Sequence, residues 1–223
     1  MDEVMKLLDY LEIQSPQARE TYAQLAQHRH LKRGEVLYKG GEDTTFLYFL
    51  ISGSLRGYTT NAAGREYTEC LLYRYGHAHI GGIGMEQEQT FHLNKNLEAL
   101  TETDLLFFDV RPILQELPNS IEFLRVYAKK LEESYVQMWQ VREVMRESAV
   151  VRWRWFQNTY PDLQNVMQLK DVASFLGMTP VTLSRIRAKQ SKAEKKRRMA
   201  ELERQISGNC RGYLTDREND GIV

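Results

Sequence analysis

The chain has 223 residues and a mass of 26.1 kDa, enough for one large domain or two small ones. Charged residues make up 27% and hydrophobic residues 42%, the mix of an ordinary globular protein, which excludes a disordered chain, a collagen-like chain and a disulfide-framed miniprotein. The formal net charge of zero hides an asymmetry: residues 1–110 hold 10 Lys/Arg against 16 Asp/Glu, and residues 111–223 hold 20 against 14. A chain acidic in front and basic behind suggests two jobs, with any polyanion partner meeting the back half.

The longest apolar run, Phe46 to Ile51, falls far short of the ~20 residues that span a bilayer, so no membrane partner is expected. No basic start followed by an apolar stretch opens the chain, so no secretory signal is expected and the location read from the sequence is cytoplasmic. The two cysteines, Cys70 and Cys210, are far apart without a CxxC partner and read as free thiols.

Residues 4–30 look helical. Leu7, Leu8 and Leu11, then Tyr22, Leu25 and Ala26, recur at helical spacing with a break at Ser15-Pro16. From about residue 31 the punctuation changes, because Gly34, Gly40-Gly41, Gly53, Gly57, Gly64 and Gly76 fall at intervals suited to short strands. Strands are predicted over residues 35–38, 46–51, 54–58, 66–73, 97–101 and 104–108, with 61–64 as a hairpin loop. Such spacing argues an all-β roll, jelly roll or barrel.

The stretch Leu31-Lys-Arg-Gly-Glu-Val-Leu-Tyr-Lys-Gly-Gly-Glu-Asp, followed by Phe46-Leu-Tyr-Phe-Leu-Ile-Ser-Gly-Ser-Leu-Arg, is similar to the start of the cyclic-nucleotide-binding β-roll. The resemblance covers roughly residues 25–110. It implies that Gly34, Gly41 and Gly53 are turn positions, where a missing Cβ permits positive φ. It also implies a pocket in which a helix N-terminus and a glycine-bearing loop hold a cyclic phosphate, with an arginine on the phosphate and a glutamate on the ribose. The matching stretch here is His79-Ile-Gly-Gly-Ile-Gly-Met-Glu and then Thr90-Phe-His-Leu-Asn-Lys. Gly81 fits the family glycine, Gly82 stands where the glutamate is expected, and Lys95 is the nearest cation to the arginine's place. A lysine lacks the bidentate fork. The candidate ligand residues are Gly81, Gly82, Ile83, Gly84, Asn94 and Lys95, serving an unknown small-molecule effector or none, with ordinary cyclic AMP disfavoured. His77-x-His79 with His92 has no Cys or carboxylate at ligand spacing, so the histidines read as neighbours of a pocket and no metal is expected. No nucleophile elbow, P-loop or dinucleotide fingerprint is present, and no enzyme activity is expected.

In the back half, Pro118-Asn-Ser120 reads as a helix start with Glu122 in the first turn. Leu124, Leu131, Met138 and Met145 recur every seven residues, with Ala128 and Tyr135 in the alternate seam positions and Arg142 interrupting. A helix of about seven turns with this stripe suits pairing with a twin. In the resembling family it is the long dimerisation helix, which brings Ser134 and Tyr135 near the pocket. The expected dimer interface is Leu124, Ala128, Leu131, Tyr135 and Met138.

After Trp153, Trp155 and Phe156, residues expected in a small core, comes Leu169-Lys-Asp-Val-Ala-Ser-Phe-Leu-Gly177, then Met178, Thr179 as N-cap, Pro180 at the first helical position, and Val181-Thr-Leu-Ser-Arg-Ile-Arg-Ala-Lys189. A short helix, a glycine turn and a second capped helix make a helix-turn-helix. Leu183 and Ile186 point inward; Val181, Thr182, Arg185 and Lys189 point outward. The segment resembles the C-terminal DNA-binding domain of Crp–Fnr family regulators, the family that the β-roll also indicates. That family follows its recognition helix with a two-stranded wing. Here residues 190–206 look helical and highly charged and 207–223 polar and irregular, so a wing, an extra phosphate-binding helix and a disordered tail stay open.

The expectation is an α+β protein: an N-terminal double-stranded, jelly-roll-like β-roll over 1–112, a dimerisation helix over 113–147 and a helix-turn-helix domain over 148–223. The resemblance implies a homodimeric transcription regulator binding a palindromic double-stranded DNA operator, with RNA polymerase as a further candidate partner. Thr179, Pro180, Val181, Thr182, Arg185 and Lys189 are the candidate DNA-binding residues. The competing reading is a β-roll ligand-binding module whose helical tail binds protein.

Overall fold

The computed structural model describes residues 2–40, 45–80 and 95–215. Two helices open the chain, α1 (Asp2–Tyr10) and α2 (Pro16–Leu25). The Ser15 hydroxyl caps α2 by accepting from Ala18 N–H at 3.3 Å, and Pro16 sits where no amide hydrogen is needed. Where the helical reading ran on to residue 30, the structure has an edge strand, β1 (Gln27–Leu31). Its residues Gln-His-Arg-His are exposed and only Leu31 is buried, so no alternation announces it; antiparallel pairing with β8 imposes the strand.

The other strands are β2 (Val36–Tyr38), β3 (Phe46–Ser52), β4 (Leu55–Thr60), β5 (Glu66–Leu72), β6 (Ala78–Ile80), β7 (Asn96–Ala99) and β8 (Thr103–Asp109). They form two four-stranded antiparallel sheets, in the orders β1-β8-β3-β6 and β2-β7-β4-β5. Leu31, Tyr38, Leu50, Leu55, Leu97 and Leu105 fill the space between them. The apolar run at 46–51 is explained by burial on both faces of β3: Tyr48 and Leu50 face the second sheet, while Leu47 and Phe49 face α1, α2 and the following helices. Between β3 and β4, Gly53 turns at φ +85°, where a Cβ would lie 2.3 Å from the Glu102 carbonyl oxygen. Gly34 also has positive φ, as the resemblance implied; Gly41 lies outside the described residues.

Helix α3 (Val110–Glu116) leads to α4 (Ile121–Val144), which starts where the sequence placed it, with Ser120 Oγ accepting from Phe123 N–H at 3.1 Å. Phe123, Val126 and Val144 are buried along one side of α4. Then come α5 (Ala149–Thr159), α6 (Leu169–Phe175) and α7 (Pro180–Thr215). Trp153, Phe156, Tyr160, Phe175, Leu176 and Leu183 make a second core, closed on the roll side by Leu71 and Leu100. No helix among the described residues is long and apolar enough to cross a membrane.

Candidate functional site: a cavity under helix α4 and an exposed helix face

A cavity of about 850 Å³ lies between strands β5 and β6 and helix α4. Its wall includes Arg74, His77, His79, Lys95, Lys130 and Ser134, and Leu71 and Tyr160 from the shared core also reach it. Of the residues that the resemblance implied for a pocket, Lys95 and Ser134 line this cavity. Tyr135 does not line this cavity: it is exposed and stacks on Trp139, with ring centroids 6.4 Å apart. Gly81, Gly82, Ile83, Gly84, Asn94 and His92 lie outside the described residues.

The polar lining is of mixed character. His79 on β6 is hydrogen-bonded to the Tyr38 hydroxyl, and burial, then the nearby Lys95 charge, pushes its pKa down to about 3. His77 is pushed down to about 4, first by burial and then by Arg74. Its Nδ1 faces the Tyr73 amide hydrogen at 3.4 Å, which fits an unprotonated nitrogen. Both imidazoles are neutral at pH 7. The cations are Lys95, whose Nζ lies 3.6 Å from Cys70 Sγ, Arg74, packed over the Tyr73 ring, Lys129 and Lys130. Lys130 is only 3% exposed; its Nζ donates to Glu133 at 2.8 Å and sits over the Tyr10 ring. Sequence reasoning missed Arg74 and Lys130. Arg74 precedes the loop in which an arginine was sought. Lys130 is one position before Leu131, so only the orientation of α4 on the roll turns it inward. Among the described residues no group of three His, Cys, Asp or Glu is placed to hold a metal ion.

Along α4, Leu124, Leu131, Tyr135 and Met138 are exposed large apolar residues, of which Leu131 and Met138 also border the cavity, and Ala128 between them is exposed as well. Met145, the fourth member of the sequence stripe, departs from it. It is the C-cap of α4, and its sulfur receives a contact from Arg152 Nη1 at 3.7 Å, because the helix ends there and the chain turns into α5.

The α6–α7 junction is defined by its hydrogen bonds. Gly177 N–H donates to Ser174 O and Met178 N–H to Ala173 O, the paired bonds of a Schellman ending, with Gly177 at φ +59°. Arg152 from α5 donates to Leu176 O at 2.7 Å and to Gly177 O at 3.1 Å, pinning the turn. Thr179 Oγ1 accepts from Thr182 N–H at 3.1 Å and lies 2.9 Å from Thr182 Oγ1. Leu183 is buried, Ile186 packs against the same core, and Val181 is 59% exposed. Arg185 and Lys189 are exposed beside Val181, so the inward and outward sides fall where helical spacing put them. Trp153 Nε1–H donates to Gln190 at 2.8 Å. Beyond that point α7 continues to Thr215, where the resemblance implied a two-stranded wing.

Helix α6 is also tied to the roll. Arg56 on β4 reaches Asp171 in the first turn of α6. The Ser174 hydroxyl accepts from Thr68 N–H at 3.0 Å and donates to Glu66 O at 3.2 Å.

Comparison with known proteins places this architecture. Residues 28–119 match the family model described as the cyclic nucleotide-binding domain, so the class defined by the fold is a β-roll of that type followed by helices. Among solved structures the chain is similar to a putative transcriptional regulator of the Crp/Fnr family from Eubacterium rectale, at 16% identity over 84% of this chain and 88% of that one, with a TM-score of 0.67. It is similar to CLP, a c-di-GMP-responsive global regulator from Xanthomonas campestris, at 14% identity over 81% and 93%, TM-score 0.64. It is also similar to FixK2 from Bradyrhizobium japonicum, at 16% identity over 76% and 86%, TM-score 0.62. At these identities the likeness is one of fold. No curated protein matches the sequence. The Eubacterium rectale and Xanthomonas campestris proteins are both described as regulators.

Proposed function

We propose that this chain is a cytoplasmic, homodimeric transcription regulator of the Crp–Fnr type. Its β-roll (1–112) carries an effector pocket altered from the cyclic-AMP pattern, α4 (within 113–147) pairs two copies, and the helix-turn-helix of 148–223 reads a palindromic duplex, with RNA polymerase as a further partner. The observation that carries the reading is the outward face of α7. Val181, Arg185 and Lys189 stand exposed beside the Thr179 cap, on a helix seated by Leu183, and no ion pair is recorded for either cation among the described residues.

In this reading, Thr179, Thr182 and the free amide hydrogens of the first turn face a phosphate. Arg185 reaches guanine O6 and N7 in the major groove, Val181 packs on a thymine methyl, Pro180 shapes the turn without donating, and Lys189 meets backbone. Selection of bound sequences from a random duplex pool tests it. Arg185→Ala is then expected to cost about 1–3 kcal/mol and relax preference at one position per half-site. Equal losses on selected and random duplexes would remove Arg185 from base reading.

A further inference from the structure

Beyond the recognition segment, α7 is not simply charged. Residues 185–198 hold eight Lys/Arg against one carboxylate, and the charges are sorted. At 3.6 residues per turn, Arg185, Lys189, Lys192, Lys195 and Lys196 fall within about a third of the helix circumference, on the side that carries Val181. Glu194 lies on the opposite side, where it accepts from Gln190 Nε2 at 3.0 Å. Glu201 lies on that side too, paired with Arg204 at 4.0 Å. All five cations of the stripe are exposed, and no salt bridge is recorded for any of them among the described residues.

Length decides what the stripe meets. From Val181 to Lys196 it runs about 22 Å along an unbroken helix, whereas a major groove is about 12 Å wide and 8.5 Å deep. A helix whose first turns occupy the groove must therefore carry its later turns past the flanking phosphate ridge. Those are the turns bearing Lys192, Lys195 and Lys196. Lysine, a compact point charge, suits phosphate without reading bases.

We propose that Lys192, Lys195 and Lys196 form a phosphate-gripping ridge that extends the DNA contact of α7 onto the duplex flanking the base-reading site, taking the place of a wing. This rests on the reading of the chain as a DNA-binding regulator. The test is salt-dependent binding of the full chain and of the Lys192→Gln/Lys195→Gln/Lys196→Gln variant. The duplexes are a selected sequence with flanks of about ten base pairs, the same sequence without flanks, and a random duplex. Three lost phosphate contacts lower the log–log salt slope by about 2.7 per monomer, so between 50 and 200 mM salt the native chain loses about 40-fold more affinity per monomer than the variant. Native chain and variant converge once the flanks are removed, and the ratio of selected to random affinity stays within about twofold. A triple Lys→Arg variant retains the native slope, which separates lost charge from lost helix. Native binding with an unchanged slope in the glutamine variant overturns the ridge but leaves the regulator reading standing, as does a variant whose loss falls mainly on the selected sequence. No salt-dependent duplex binding by the native chain overturns both.

Discussion

Arg56 Nη1 lies 2.7 Å from Asp171 Oδ1, and this contact joins strand β4 of the roll to the helix that precedes α7. Arg56 is 3% exposed and its guanidinium is shared further, with Glu66 at 2.7 Å and Glu98 at 2.6 Å, so one cation faces three carboxylates. Burial raises the Asp171 carboxyl more than the facing guanidinium lowers it. For Arg56 burial works against the charge, and its hydrogen bonds to Glu66 and Glu98, together with the Asp171 and Glu98 charges, more than restore it.

Replacing Arg56 strands all three carboxylates. Arg56→Met is expected to destabilise the fold by about 3–5 kcal/mol, as breaking a buried pair does. Asp171→Asn is expected to cost much less, because the cation keeps two partners. The raised Asp171 carboxyl makes the folded chain bind more protons than the unfolded chain above pH 3.8, so its own contribution weakens as pH rises from there through the folded value. Asp171→Asn removes that component. Denaturant titrations at several pH values measure both effects.

Gly53 and Gly34 both have positive φ, but only one is crowded. Alanine at Gly34 meets nothing within 4 Å, and about 1 kcal/mol of backbone strain is expected. Gly53→Ala adds the 2.3 Å collision with the Glu102 carbonyl to similar strain and is expected to lose clearly more, above about 2 kcal/mol. Melting curves of the two variants rank them.

His30 Nδ1 lies 2.8 Å from Asp104, and that hydrogen bond raises the imidazole's pKa above its usual 6.5 while lowering the carboxyl below 3.8. The His30 contribution to stability is full below pH 6.5 and is lost as pH rises through the folded value. The Asp104 contribution is full above pH 3.8 and is lost as pH falls through its own folded value. In NMR titrations the His30 midpoint should fall toward 6.5 in Asp104→Asn, while His77 and His79 stay neutral down to about pH 5.

The exposed side of α4 leads to a hydrodynamic expectation. If the stripe of Leu124, Ala128, Leu131, Tyr135 and Met138 pairs two copies, the native chain sediments as a dimer at micromolar concentration. Leu131→Glu and Met138→Glu then yield monomers with unchanged helix content. A monomeric native chain would remove the dimer from the proposal.

Cyclic AMP should bind this chain poorly. In the register that the resemblance implies, Gly82 cannot replace a ribose-binding carboxylate; of the cations at the cavity, Lys95 near the arginine's place lacks the bidentate fork, and Arg74, Lys129 and Lys130 come from outside that loop. Calorimetry showing low-micromolar affinity would overturn this reading of residues 81–95.

Elements with a local signature were legible in the sequence. Ser120, Thr179 and Gly177 mark helix ends that the structure reproduces, and the continuous apolar run at 46–51 is the strand buried on both faces. β1 and β6 were not legible. One is polar with a single buried residue, the other is three residues long, and both are held by partners distant in sequence. In the cavity, Ser134 and Lys95 came from the resemblance, whereas Lys130 and Arg74 depend on how a helix is rotated and a strand ends. The link from Arg56 to Asp171 spans 115 positions, and no periodicity encodes it.

Tyr160 is buried in the core beneath α5 and α6 and also forms part of the cavity wall, and Leu71 does the same from the roll. The space under α4 thus shares wall residues with the packing that seats Leu183. If the proposed function holds, a molecule entering that space presses on side chains that support the start of α7, and a duplex that shifts α7 presses back on the same side chains. Thermodynamic reciprocity then fixes the relation between them: the factor by which an occupant changes the affinity for DNA equals the factor by which DNA changes the affinity for the occupant.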